Sequence, residues 1–310
     1  MKMLTSCAVL VMLSGCAWAP KFISPAEQQS GFTYIPIDPF PVTMALGLDC
    51  AASYPSGVAI PYQRLPRGLP DNAVRMLVEQ FDAKGNVTYG PAKADTDIRS
   101  YRVTTDFISA DTLNFTVQIA KFAVRDADSK MMPVPFDQDL DGKIFRFRTE
   151  TYRVRRIPPN QEVQEDEFTK VFNIPIYVGI GLRATADIVT TTSKANVTGL
   201  GVIGSEAEAG NIKGSLIVQT LGVNGKAVTA ALPIQSELNR TTAQNAIVAV
   251  ASIKTLLHAS ETDIAPRVVG LYLPFAGGKP LVNAIVSELS AKPPTWSRPC
   301  DPVLAVPSPI

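Results

Sequence analysis

Polar and apolar residues alternate along much of the first half of the chain, which is the pattern of β-strands with one buried face. The clearest example is Thr112–Ile119, where every second residue is apolar. Further alternating or strand-like runs are Tyr101–Phe107, Ile144–Val154 and the pair Val74–Phe81 and Val87–Tyr89, which flank a turn-forming segment at residues 82–86. Short strands separated by turns predict a β-sandwich-like domain over residues 42–160.

The periodicity changes in the second half, where strand-like runs are followed by a helix expected over Thr242–His258. Thr241 or Thr242 can cap its first turn. A buried strand at Val268–Leu273 and a helix from about Pro280 to Leu289 come next. This order predicts a smaller α+β domain over residues 161–291, so the whole chain is predicted to be mixed α and β. The strand-like runs are Ile174–Val189, Gly214–Leu221 and Val228–Ile234, and the apolar helix positions are Ile247, Val248, Val250, Ile253, Leu256 and Leu257.

Proline and acidic residues mark the expected boundaries. Pro158-Pro159 and the acidic run Glu162–Glu167 predict the boundary between the two domains, because a diproline interrupts a strand ladder and the charges are costly to bury. Residues 16–41 are rich in proline and predict an extended tether. Residues 292–310 are also rich in proline and predict a loose tail.

The first fifteen residues have the layout of a signal peptide, with Lys2 followed by a short apolar run and small residues. The run is about half the roughly 20 residues that a membrane-spanning helix needs. At its end, Leu13-Ser14-Gly15-Cys16 resembles the lipobox of bacterial lipoproteins, a family in which the cysteine is diacylated, the peptide before it is cut and the new amino terminus is acylated. Ordinary cleavage near Ala17 or Ala19 is the alternative.

The lipoprotein resemblance implies a location. Two or more fatty acyl chains, such as palmitate, on Cys16 would anchor the protein stably without a transmembrane helix. In that family an aspartate directly after the cysteine tends to retain the product in the inner membrane. Ala17 occupies this position, so we expect the outer membrane, with the chain facing the periplasm, ahead of the inner membrane.

Charge and cysteine content narrow the possible partners. Removal of residues 1–15 leaves 28 basic and 28 acidic side chains, a balance that argues against a nucleic-acid partner. The cluster Arg153-Val154-Arg155-Arg156 is expected to be a solvated strand end neutralised by the acidic run at 162–167. Cys50 and Cys300 are expected to form a disulfide in an oxidising compartment, with two free thiols as the alternative.

One segment has the start of a calcium-binding loop. Asp137, Asp139 and Asp141, followed by Gly142, copy the opening of an EF-hand. The twelfth position is Arg148, where that loop needs a glutamate, so a true EF-hand is excluded. A weaker calcium site on these three carboxylates and a plain Asp/Gly turn both remain, and we expect no other cofactor.

The sequence lacks the residue sets of common enzymes. His258 is the one histidine, and its place at the end of a helix favours a contact with the last carbonyl groups over catalysis. Residues 199–204 formally match a dinucleotide fingerprint, but glycines in turns are the favoured interpretation. Residues 184–219, rich in glycine and threonine, predict a hairpin with a short helical turn at Ser205–Ala209, with an insertion hairpin or an oligomer contact as the alternatives.

These observations favour a membrane-anchored periplasmic lipoprotein that acts as a binding or scaffold component of the cell envelope rather than as an enzyme. Two alternatives remain open. The first is an enzyme that cleaves glycans with a pair of carboxylates facing one cleft. The second is a subunit of an export or pore assembly, which draws on the Gly/Thr-rich segment.

Overall fold

The chain forms a mostly β structure with helices packed on it. The computed structural model describes residues 33–46, 71–81, 87–89, 100–125, 130–136, 147–158, 161–192, 195–197, 199–224, 235–256, 263–273 and 278–298. The elements in chain order are β1 Thr33–Pro41, β2 Thr43–Leu46, β3 Asp71–Phe81, β4 Val87–Tyr89, β5 Ser100–Arg125, β6 Met131–Pro133, β7 Phe147–Arg156, β8 Thr169–Thr190, α1 Leu200–Glu208, β9 Ile212–Leu221, β10 Val223–Asn224, β11 Ser236–Glu237, α2 Arg240–Leu256, β12 Asp263–Ile264, β13 Arg267–Leu273, α3 Gly278–Ala291 and β14 Thr295–Arg298. The mixed α and β class, dominated by sheet, is confirmed.

Two long strands form the middle of the main sheet. Strands β5 and β8 pair antiparallel from Ser100 opposite Val189 to Ala120 opposite Thr169. The strand order around them is β1-β13-β8-β5-β3-β4, with β6 and β7 also on β5, and with β9, which carries β11, also on β8. The expected domain boundary lies in the β7–β8 connection, and strands from both sides of it pair in this one sheet. The sandwich packing stays a prediction.

The two faces of the β5–β8 ladder differ in chemistry. Every second residue of β8 from Ile174 to Ile188 is buried, and these side chains meet Val103, Val117 and Ile119 of β5 in the main core. Helices α2 and α3 contribute to the same core, α3 through Leu281, Val282, Ile285 and Leu289. The opposite face carries the charged side chains of Asp106 and Arg183. It also carries a smaller apolar cluster that includes Ile108 and Tyr177, and Tyr34 of β1 packs in that cluster.

Strand β5 is longer than the sequence predicts. Tyr101–Phe107 and Thr112–Ile119, expected as two strands, are parts of one strand of 26 residues. The apolar positions of the two runs have the same parity, and no glycine or proline lies between them. Residues 108–111 have the opposite pattern, with Ile108 and Ala110 buried, but the pairing with β8 continues through them without a register shift.

The helix predicted at Thr242–His258 is α2, but its buried face differs from the expected one. Ala243, Ala246 and Ala249 are buried, whereas Ile247 and Val248 are exposed. The cap is Asn239, whose Oδ1 accepts the Thr242 N–H at 2.9 Å while the Thr242 hydroxyl accepts the Asn239 N–H at 3.0 Å. This reciprocal pair satisfies two main-chain donors at the start of the helix.

Residues 199–204 begin a helix and are not the glycine loop of a βαβ unit. Gly199 has a φ of 98° and directly precedes α1. Along the chain, α1 connects β8 to β9, and these two strands pair antiparallel. Gly204 is buried where α1 meets α2, and a Cβ at this position would lie 2.8 Å from the Ala243 Cβ. Gly204 therefore permits the close approach of the two helices.

We predict opposite effects for two glycine substitutions within α1. Gly204→Ala should lower the free energy of unfolding by about 1–2 kcal/mol, because Ala243 or the helix backbone must shift to admit the new methyl group. Gly201→Ala is the matched control, since a Cβ there meets nothing within 4 Å. It should be neutral or stabilising by up to about 1 kcal/mol. Urea unfolding of both variants checks this, and equal effects would contradict the assigned packing.

Candidate functional site

A buried ion pair lies on the polar face of the β5–β8 ladder. Asp106 and Arg183 are directly opposite each other in the register. The Arg183 Nε donates to Asp106 Oδ1 and its Nη2 donates to Oδ2, both at 2.7 Å. The Asp106 side chain is 0% exposed and that of Arg183 is 5% exposed. The contact is therefore a two-point charge-assisted pair shielded from water.

The pair also binds groups from two other strands. The Arg183 Nη1 donates to the Ile37 carbonyl of β1 at 2.6 Å, and its Nη2 donates to the Val269 carbonyl of β13 at 2.7 Å. The Tyr34 hydroxyl of β1 donates to Asp106 Oδ2 at 2.6 Å. One guanidinium and one carboxylate thus connect β1, β5, β8 and β13.

These contacts change the acidity of both partners of Asp106. Burial and the neighbouring Asp106 carboxylate raise the pKa of the Tyr34 hydroxyl well above its ordinary value. Burial acts to lower the pKa of Arg183, but the hydrogen bonds and charge of Asp106 outweigh it and raise that pKa. Both groups keep their protons across the physiological range.

Three tyrosines pack beside the ion pair. The rings of Tyr34, Tyr177 and Tyr272 have centroids 5.3–5.8 Å apart, in edge-on or tilted contacts. Arg75, on β3 opposite Asp106, donates to the Tyr177 hydroxyl at 3.2 Å. Gly270 makes room for the Tyr34 ring, because a Cβ there would lie 2.4 Å from Tyr34 Cε2. The cluster connects β1, β8 and β13, which supply Tyr34, Tyr177 and Tyr272.

An open groove lies between the far end of the sheet and helix α3. Its volume is about 640 Å³, which is within the range of ligand-binding clefts. On the sheet side it is lined by Gln118, Ala120, Tyr152, Arg153, Val154, Arg155 and Thr169, and on the helix side by Ala284, Ser287, Glu288 and Ala291. The groove combines an accessible, concave shape with charged side chains.

The arginines of the groove have no carboxylate partner among the described residues. The Arg155 Nη2 donates to Gln118 Oε1 at 3.1 Å, and the Arg153 guanidinium lies 4.6 Å from the Phe122 ring centroid. Arg156 lies over Phe115 in the same way, at 5.0 Å. Amide and aromatic contacts orient these guanidiniums and leave their positive charge available to an anion.

The sequence predicts that the acidic run at 162–167 neutralises the arginines of β7. Among the described residues, no ion pair joins the two groups. The Asp166 Oδ1 accepts the N–H groups of Phe168 and Thr169 and the Thr169 hydroxyl, and Glu165 accepts the Val171 N–H. The hydrogen bond from Thr169 is the main cause of the lowered pKa of Asp166. These carboxylates satisfy main-chain donors at the start of β8.

The sequence-predicted site residues lie outside the described residues, and the structure tests none of them. They are the lipidation site Cys16, the disulfide pair Cys50 and Cys300, the calcium candidates Asp137, Asp139 and Asp141, and His258. Within the described part of the chain, no group of three or more His, Cys, Asp or Glu side chains could hold a metal ion. No helix in that part is long and apolar enough to cross a membrane.

Comparisons with protein-family models, curated proteins and solved structures give no match for this chain. The functional argument therefore depends on the geometry of the groove and on the sequence.

We predict that removing one partner of the buried pair costs far more stability than removing one partner of its exposed counterpart on the same strands. Arg102 and Asp187 also face each other on β5 and β8, with the same 2.7 Å distance, but their side chains are 46% and 41% exposed. Arg183→Met should cost about 3–5 kcal/mol, because it leaves the Asp106 charge buried and uncompensated. Arg102→Met should cost at most about 1 kcal/mol. Similar losses in urea unfolding would refute this assignment.

We also predict a stability change at alkaline pH that depends on Tyr34. Because its pKa is raised in the folded chain, Tyr34 contributes stability that is complete below about pH 10, the unfolded value, and that is lost as the pH rises further. Tyr34→Phe should be less stable than the wild type at pH 8, and this difference should shrink above pH 10. A difference that stays constant from pH 8 to 11 would contradict the prediction.

Proposed function

We propose that this chain is a lipid-anchored binding or scaffold component of the bacterial outer membrane, facing the periplasm, and that it holds an envelope protein in the groove between β7 and α3. The proposed binding role is supported by Arg153 and Arg155, which lie in an open groove, are oriented by neutral partners and have no carboxylate partner among the described residues. The anchor half is supported by the resemblance of residues 13–16 to a lipobox.

Binding is favoured over carboxylate-based glycan cleavage by the chemistry of the groove. Glycan cleavage needs two carboxyl groups about 5–10 Å apart across the substrate. Glu288 is the one carboxylate that lines the groove among the described residues, and its Oε1 already accepts the Arg156 N–H at 3.1 Å. A cationic groove with one engaged carboxylate is suited to holding an anionic partner.

The proposal predicts a partner that depends on the groove. The full chain is expressed in a bacterial host with two membranes, cross-linked in place and purified. We expect the wild type to yield a cross-linked partner protein in stoichiometric amount. Arg153→Gln/Arg155→Gln should lower the yield of this partner about tenfold or more, because close charge pairs across an interface contribute about 1.5 kcal/mol or more each. The matched control is Arg102→Gln/Arg240→Gln, which removes two exposed, ion-paired arginines outside the groove.

The same preparation checks the anchor. Wild-type protein should incorporate labelled palmitate and fractionate with the outer membrane, whereas Cys16→Ser should incorporate none. Equal labelling of the two proteins would remove the lipid assignment. Equal cross-linking by the groove variant and its control would remove the groove from the proposal.

A further inference from the structure

The sheet side of the groove is the outer edge of β7. The Ile157 N–H donates to the Thr116 carbonyl of β5, whereas the Arg156 N–H donates to Glu288 on α3. Successive residues of a strand direct their main-chain groups to opposite sides. Val154 therefore directs its N–H and C=O away from β5, toward the side of α3, and neither group has a partner among the described residues.

The helix side of the groove leaves space beside this edge. Ala284, Ser287 and Ala291 recur at helical spacing along α3 and present small side chains to the groove. At the end of the groove, the Glu288 carboxylate accepts a hydrogen bond from the Arg156 N–H. The edge of β7 therefore donates to an acceptor that lies outside the sheet. An incoming acceptor can bind the Val154 N–H in the same way.

Resting on the proposed function, we infer that the partner presents an extended acidic segment that lies along β7. Arg153 and Arg155 are two residues apart on one strand, so their side chains leave the same face about 6.5–7 Å apart. An extended peptide with acidic residues at every second position repeats at the same interval. Its carboxylates can pair with both guanidiniums while its main chain binds Val154.

The outward groups of Val154 distinguish a peptide from other anions. The N–H needs an acceptor and the C=O needs a donor, and a peptide main chain supplies both. A phosphate or an anionic lipid headgroup offers acceptors to the arginines but no matching donor at the required spacing. The combination of two cations and one donor–acceptor pair therefore favours a peptide.

The test measures binding of a fluorescein-labelled peptide with alternating glutamate and valine to the purified full chain. A peptide with glutamine at each glutamate position is the charge control. We expect the acidic peptide to bind the wild type and Arg102→Gln/Arg240→Gln within about twofold of each other, because those arginines lie outside the groove. Arg153→Gln/Arg155→Gln should weaken binding about tenfold or more, since two charge pairs are lost.

A second variant tests the main-chain contact. Val154→Pro removes the outward N–H without removing a ladder hydrogen bond, which an edge strand tolerates, and should weaken binding about tenfold as well. If Val154→Pro fails to fold, Ala291→Glu replaces it, because its carboxylate would repel the acidic peptide from the opposite side of the groove. Retention of full affinity by the folded Val154→Pro, or by Ala291→Glu, overturns the inference.

The remaining outcomes separate the two proposals. Equal binding of the glutamine peptide overturns the inference, as does binding of inorganic phosphate or phosphatidylglycerol vesicles by a chain that binds neither peptide. If no peptide binds but a groove-dependent partner is recovered from membranes, the inference fails and the proposed function stands. If neither is found, both fail.

Discussion

The fold depends on one buried contact, the two-point pair between Arg183 and Asp106. Two charges inside a protein are costly unless hydrogen bonds satisfy them on all sides. Here the carboxylate receives three hydrogen bonds, and the guanidinium also reaches the carbonyl groups of Ile37 and Val269. The geometry that meets these needs requires β13 to pair with β8 and β1 to pair with β13, which brings both carbonyl groups to the Arg183 side chain. The pair therefore selects one arrangement of strands among the many that apolar packing alone would permit.

This constraint gives the sheet its curvature. Strand β1 is at one end of the strand order, yet it contacts β3, the fifth strand of that order. The sheet must curl for these strands to meet, and the Tyr34 hydroxyl on Asp106 holds β1 in that position. Because β5 continues beyond the curled part, its far end is free to carry β7 on the edge away from β8. The groove lies at that far end, so the buried pair and the groove are separate parts of one long ladder.

The sequence predicts the local elements well, because alternation and helical periodicity are local properties. The strands at 74–81 and 268–273 and both longer helices are recovered with small shifts at their ends. The buried pair was not predictable in this way. Asp106 and Arg183 lie at the alternate positions of their strands that a single sequence assigns to solvent. The Ile37 carbonyl, which accepts a hydrogen bond from Arg183, lies 146 residues away along the chain. The alanine face of α2 was missed for a related reason, since helical periodicity favours large apolar residues over small ones that permit close packing.

The buried pair and the groove arginines obey the same electrostatic rules but differ in whether an opposite charge compensates theirs. Inside the sheet, the carboxylate and guanidinium find each other, and their hydrogen-bonding groups are used within the fold. At the groove, Arg153 and Arg155 are oriented by neutral partners, Phe122 and Gln118, while the nearby Glu165 and Asp166 bind main-chain donors instead. A chain with balanced charge could have paired these groups internally. That it orients the arginines but leaves their charge uncompensated among the described residues is the reason to assign recognition to the groove and stability to the buried pair.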